Sequence, residues 1–131
     1  MAAIHHIDNE KKILLTIWEG PALDIELIKS VKNYQEEIQN NPDYAEYNEV
    51  VDFSDVTSIK LTTEGIKGLA NIASLTDKKQ EYKKLALIVS SNLAFGFARM
   101  YEAYRGFSRY SVKEVRVFKS RGKAFEWIEK N

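Results

Sequence analysis

The run Leu85-Ala86-Leu87-Ile88-Val89 offers no polar residue to turn toward water. A half-exposed strand alternates. A short apolar run without alternation marks a strand covered on both faces, the habit of central strands in a parallel sheet. Parallel neighbours need a crossover of a dozen or more residues, usually a helix. This pentapeptide therefore calls for a layered α/β domain with helices packed on the sheet. The continuation agrees: Ser90-Ser91-Asn92 supplies turn and cap residues, and the aromatic-rich segment reaching Phe107 has helical spacing.

Upstream, Ala3–Asp8 and Lys12–Glu19 are apolar runs separated by Asn9-Glu10-Lys11, the spacing of an antiparallel hairpin. Gly20-Pro21 breaks the second run. A helix capped by Asp24 follows, with Leu27, Ile28, Val31, Tyr34 and Ile38 on one stripe. Asn40-Asn41-Pro42 ends it, because a residue before proline avoids the helical region. Tyr47–Phe53 reads as a short third strand and 54–62 as an irregular connection. Thr62 or Thr63 then caps a second helix whose Ile66, Leu69, Ala70 and Ala73 face inward. Residues 77–84 read as a charged surface loop before the central strand. Glu114–Phe118 is a last strand, and a terminal helix starts near Ser120 with Ala124, Phe125, Trp127 and Ile128 on its apolar side.

The order β-β-α-β-α-β-α-β-α predicts an α/β fold. It comprises a single, mainly parallel sheet of about five strands, an N-terminal antiparallel hairpin and four helices. At 131 residues, with no linker-like tract or repeat, the chain reads as one domain over 1–131. The absence of cysteine excludes disulfides, thiol chemistry and thiolate zinc sites, and suits a reducing cytoplasm. No signal-peptide pattern or membrane-length apolar run is present. Residues 1–66 hold 5 lysines against 13 acidic residues, and residues 67–131 hold 14 basic against 6 acidic, so a net charge of zero hides halves of −8 and +8. Such a balance argues against nucleic acid as a partner; opposite halves attract within one fold or across a dimer, and the alternative is a basic half that meets an acidic partner or anionic lipid.

Catalytic inventories fail. His5 and His6 are adjacent on one strand and so point to opposite faces, unable to share a metal. A Ser-His-Asp arrangement would need one of them to reach the far sheet edge, where the serines lie. Asp52 and Asp55 bring oxygen ligands, with no further carboxylate placed beside them. No phosphate-cradle, dinucleotide or zincin motif occurs. The reading is therefore non-enzymatic, with no cofactor. Ser90, Ser91 and Asn92, leading into a helix, are a candidate anion site as well as ordinary caps. On the third helix Leu93, Phe97, Met100, Tyr101 and Tyr104 form the expected core stripe. Phe95 lies about 160° away from it at 100° per residue. Its own face carries Ala94, Ala98 and an Arg99–Glu102 pair, a contact surface for a partner, a lipid or a second subunit.

Several segments carry a family resemblance. They are VVDFSDVTSI (Val50–Ile59), the Thr-capped helix, NLAFGFARMYEAY (Asn92–Tyr104), EVRVFKS and KAFEWI, with ILLTIWEG (Ile13–Gly20) fitting the opening strand. Together they closely resemble the SpoIIAA-like family of STAS-type folds, related to Sec14-like lipid-binding modules. The resemblance spans essentially the whole chain and implies a (βα) superhelical sheet without a known catalytic residue. It also implies a small apolar or amphipathic ligand held between helices and sheet, with peripheral contact at the inner membrane face. On that reading Ile66, Leu69, Phe97, Met100 and Tyr101 line a cavity between the second and third helices, and Phe95 and Arg99 sit at its mouth. The alternative role is a protein–protein regulator like the anti-sigma-factor antagonists, switched by phosphorylation in a D-S-S-G-x-G turn. The matching stretch is Lys60-Leu61-Thr62-Thr63-Glu64-Gly65, in which Lys60 replaces the aspartate, Thr63 replaces the first glycine and Thr62 aligns with the phosphorylated serine. A homodimer through the hairpin edge or the Phe95 face is a further expectation.

Overall fold

The computed structural model describes residues 2–74, 83–106 and 113–130. Strand β1 (Ala2–Asp8) folds back as β2 (Ile13–Leu23), followed by α1 (Asp24–Asn40), a 3₁₀ turn (Pro42–Glu46) and β3 (Asn48–Lys60). Then come α2 (Thr63–Ser74), β4 (Lys83–Ile88), α3 (Asn92–Gly106), β5 (Lys113–Phe118) and α4 (Arg121–Glu129). The strands stand in chain order, β1-β2-β3-β4-β5. β1 is antiparallel to β2, and every other neighbouring pair is parallel. This is the hairpin followed by βα units that the sequence predicts.

Alternation along each strand sorts the side chains between two layers. Leu85, Leu87 and Val89 join Val115 under Ala98 of α3. On the same face Trp18 packs with Leu27 of α1 and Leu69 of α2. Ala86 and Ile88 turn the other way and meet Ala124 and Ile128 of α4, together with Ile13 and Val50. Thus α1, α2 and α3 cover one face and α4 the other, and the unalternated run of β4 is buried by both.

Three local expectations are corrected. Gly20-Pro21 does not end β2: Gly20 takes φ 85°, open to glycine, and the strand continues to Leu23. Its register against β3 shifts at Ile17/Glu19 and again at Gly20/Pro21. Residues 54–60 are likewise strand, and Pro21 through Leu23 pair with Ser58 through Lys60 as a ribbon running past the rest of the sheet. Proline, which cannot donate to a ladder, is accommodated where the register slips. Lys83 and Lys84 open β4 instead of closing a loop, and Lys83 is buried; residues 77–82 of that expected loop lie outside the described residues.

Candidate ligand cavity

The face under α1, α2 and α3 is not filled. Its floor comes from three neighbouring strands: Leu14, Thr16 and Trp18 on β2, Glu49, Val51 and Phe53 on β3, and Leu85 and Leu87 on β4, with Val89 just beyond its end. Leu27 and Val31 of α1, Ile66 and Leu69 of α2, and Phe97 and Tyr101 of α3 make the roof and walls. Ala22, Val56 and Ile59 of the β2–β3 ribbon close one end. The hollow measures about 150 Å³. Small side chains at Ala73, Ala94 and Ala98 line the helix side, leaving room that larger residues would occupy. A space of about 150 Å³ is enough to admit a molecule of benzene size.

The other end is polar. Glu49, 6% exposed, projects into the floor between Leu14 and Leu85. The Lys83 ammonium lies 3.6 Å from its Oε1, and both side chains are almost fully enclosed, at 0% and 7% exposure. Lys83 also donates to the Tyr34 hydroxyl at 3.2 Å and stands 5.8 Å from the centre of that ring. At the lateral rim, His5 Nδ1 is 3.0 Å from Thr16 Oγ1, on adjacent strands. His6 points to the opposite face, beside Leu15 and Phe125, as the strand period requires.

A second polar cluster occupies the C-terminal edge of the sheet. Asp52, buried on the α4 side, accepts from the Ser54 amide at 2.8 Å and hydroxyl at 2.5 Å. It also accepts from Arg121 Nε at 3.1 Å and Arg121 Nη2 at 2.7 Å. Burial alone would raise the Asp52 carboxyl, but the hydrogen bonds from Ser54 and the Arg121 guanidinium outweigh it and hold the group below its ordinary value. Asp52 is thus committed to an arginine, and Asp55 is exposed. Among the described residues no group of three or more histidine, aspartate or glutamate side chains is arranged to hold a metal ion.

A solved structure shares this architecture: an uncharacterised protein of the DUF3478 family with a SpoIIAA-like fold, from Shewanella loihica PV-4. It aligns over 97% of this chain and 92% of its own, with a TM-score of 0.60 and 14% sequence identity. The chain has a SpoIIAA-like fold. No family model and no curated protein matches it.

Within this SpoIIAA-like fold the cavity-lining residues expected from sequence divide. Ile66, Leu69, Phe97 and Tyr101 line the hollow; Phe95, Arg99 and Met100 do not. The phase of α3 is the reason. Its sheet-facing side carries Ala94 and Ala98, so the helix approaches closely, and Phe95 packs with them beside Leu85, Leu87 and Val89. The Lys119 ammonium lies 5.1 Å from the Phe95 ring centre. Leu93, placed on the core stripe by sequence, is instead 58% exposed. The Arg99–Glu102 pair forms as expected, at 3.1 Å on the outer surface.

Ser90, Ser91 and Asn92 serve the local chain. Ser91 Oγ accepts from the Ala94 amide at 3.1 Å, Ser90 donates to the Ser54 carbonyl at 3.3 Å, and Asn92 Oδ1 accepts from Lys119 at 2.8 Å. Thr62 caps α2, its Oγ1 accepting from the Gly65 amide at 2.9 Å. Sequence reading passed over Glu49 and Lys83. The signal was present: period two in Tyr47–Phe53 puts Glu49 on the same face as Tyr47, Val51 and Phe53, all apolar or aromatic.

Proposed function

We propose that this SpoIIAA-like domain is a non-enzymatic binding module that holds a small apolar or amphipathic molecule between its sheet and α1, α2 and α3. The observation that carries this reading is the hollow of about 150 Å³, lined mainly by aliphatic and aromatic side chains from six elements. A void of that size sacrifices packing contacts, at about 24 cal/mol per Å³ in cavity-creating variants of another protein. An occupant that restores those contacts recovers the loss. The test is native mass spectrometry of protein purified from cells, with thermal shift against benzene, fatty acids and phospholipids. Retention of a small molecule or a raised melting temperature supports the reading. A mass equal to the bare chain, with no shift from any of these, overturns it.

Peripheral contact with an anionic lipid surface belongs to the same proposal. Leu93 is largely exposed in the first turn of α3, beside Asn92, whose side chain holds Lys119. An exposed apolar residue flanked by a lysine suits shallow, salt-sensitive contact with acidic headgroups. Cosedimentation with vesicles containing phosphatidylserine, lost in Leu93→Ser and at high salt, is the expected outcome; equal sedimentation with neutral vesicles would discard it. The regulator alternative meets an obstacle at Thr62, whose hydroxyl donates to Asp24 at 2.6 Å. A phosphate there would stand against a carboxylate.

A further inference from the structure

Glu49 is an unusual group to find in the floor of an apolar hollow. It is 6% exposed, it lines the cavity, and its strand neighbours in register are Leu14 and Leu85. An ionised carboxylate in such a place needs a counter-charge, and the enclosed Lys83 ammonium at 3.6 Å supplies it. Lys83 is in turn steadied by the Tyr34 hydroxyl at 3.2 Å. The order of these groups matters. Glu49 and Tyr34 line the hollow, whereas Lys83 lies behind them, outside the lining. Whatever enters therefore meets the carboxylate before the ammonium.

We infer, building on the apolar-cavity reading, that the cavity selects a small, mostly apolar molecule carrying one hydrogen-bond donor, a hydroxyl or an amine, which it sets against the Glu49 carboxylate. A carboxylate accepts hydrogen bonds and cannot give them, so it rewards a donor and repels another anion. Among the described residues Glu49 is the only carboxylate in the lining, and so its strongest acceptor; the other side-chain acceptors there are neutral amides, hydroxyls or an imidazole. The Gln35 side-chain amide donates to the Ile72 carbonyl at 2.6 Å, and Thr16 is paired with His5. A hydroxyl carried into a wholly apolar cavity would forfeit its water partners without return. Discrimination between matched ligands with and without a donor that disappears when Glu49 is replaced thus reports on Glu49.

The experiment compares dissociation constants for benzene, fluorobenzene and phenol, measured by calorimetry or NMR titration. The proteins are the wild type and the double variant Glu49→Leu/Lys83→Met, which removes both charges together so that neither is left buried alone. The wild type is expected to bind phenol at least as tightly as benzene, with fluorobenzene following benzene. In the double variant phenol should weaken about tenfold against benzene, a change of about 1.4 kcal/mol, while benzene binding persists. Phenol at least tenfold weaker than benzene in the wild type would overturn the inference and leave the apolar-cavity reading standing. A phenol preference that survives in the double variant would also overturn it. Failure of all three probes to bind the wild type removes the cavity reading and this inference with it. Even where the double variant does not fold, phenol binding at least tenfold more weakly than benzene to the wild type overturns the inference.

Discussion

The carboxylate of Asp24, at the first position of α1, accepts both the amide of Thr62 at 3.1 Å and its hydroxyl at 2.6 Å. Thr62 passes the connection on by capping α2 through the Gly65 amide. A Cβ at Gly65 would overlap the Asp24 carboxyl group, so any larger residue there would displace that side chain from Thr62. One carboxylate therefore ties the start of α1 to the start of α2 and so holds the roof of the cavity together.

Thr62→Ala should destabilise the domain by about 0.5–2 kcal/mol, the range for losing an N-cap. Thr62→Glu should cost at least as much, because it sets a second negative charge against Asp24 despite the favourable helix end. Chemical denaturation of both variants checks this. Stabilisation by Thr62→Glu would show that the helix dipole outweighs the repulsion.

The pH dependence of stability follows from Asp52. Its folded-state carboxyl lies below the ordinary value of 3.8, so the folded protein binds this proton less readily than the unfolded chain. The resulting stability is fully present above that ordinary value and is lost as pH falls through the depressed one. Asp52→Asn should flatten the acid limb of the melting curve below about pH 4. It should also lower stability near neutrality by about 1–3 kcal/mol, the usual cost when a charged hydrogen-bond partner is lost.

Removing one member of the buried pair should be far worse than removing both. Lys83→Met leaves the Glu49 carboxylate enclosed without its ammonium and should cost about 3–5 kcal/mol. Glu49→Leu/Lys83→Met should recover most of that, as apolar replacements of buried pairs are often neutral. Urea midpoints for the wild type, single and double variants give the comparison.

Filling the hollow separates cavity from core. Ala73 is buried and lines the cavity, whereas Ala86, 0% exposed, is wedged between the sheet and α4. Ala73→Leu should abolish benzene binding with little loss of melting temperature. Ala86→Leu should cost about 1–3 kcal/mol by overpacking. Similar losses from the two substitutions would mean that the Ala73 site has no space to give.

Much of the fold was legible because strand and helix periods are strong signals. The two-faced burial of Leu85–Val89, the hairpin and the caps at Thr62, Ser91 and Ser120 needed only local chemistry. The phase of α3 was not legible. Helical spacing points the large residues inward, yet close packing against a sheet favours alanines, so Ala94 and Ala98 take the inner face and Leu93 the outer. The long β2–β3 ribbon was hidden by Gly20-Pro21, whose turn propensity is overridden by pairing with β3. At the site, the hydrophobic lining could be anticipated from apolar stripes. The Glu49–Lys83 pair joins residues 34 positions apart, and only the β3–β4 pairing brings them together.

The chain-order arrangement of the strands also bears on how the protein is made. Each parallel pairing closes as soon as one helix and the next strand leave the ribosome, so the sheet can grow outward from the hairpin during synthesis. α4 arrives last and seals the face that β3, β4 and β5 have left open. Nascent chains stalled after β3 should already protect the β2–β3 amides from hydrogen exchange, whereas the β4 amides that bond β5 should stay unprotected until β5 has emerged.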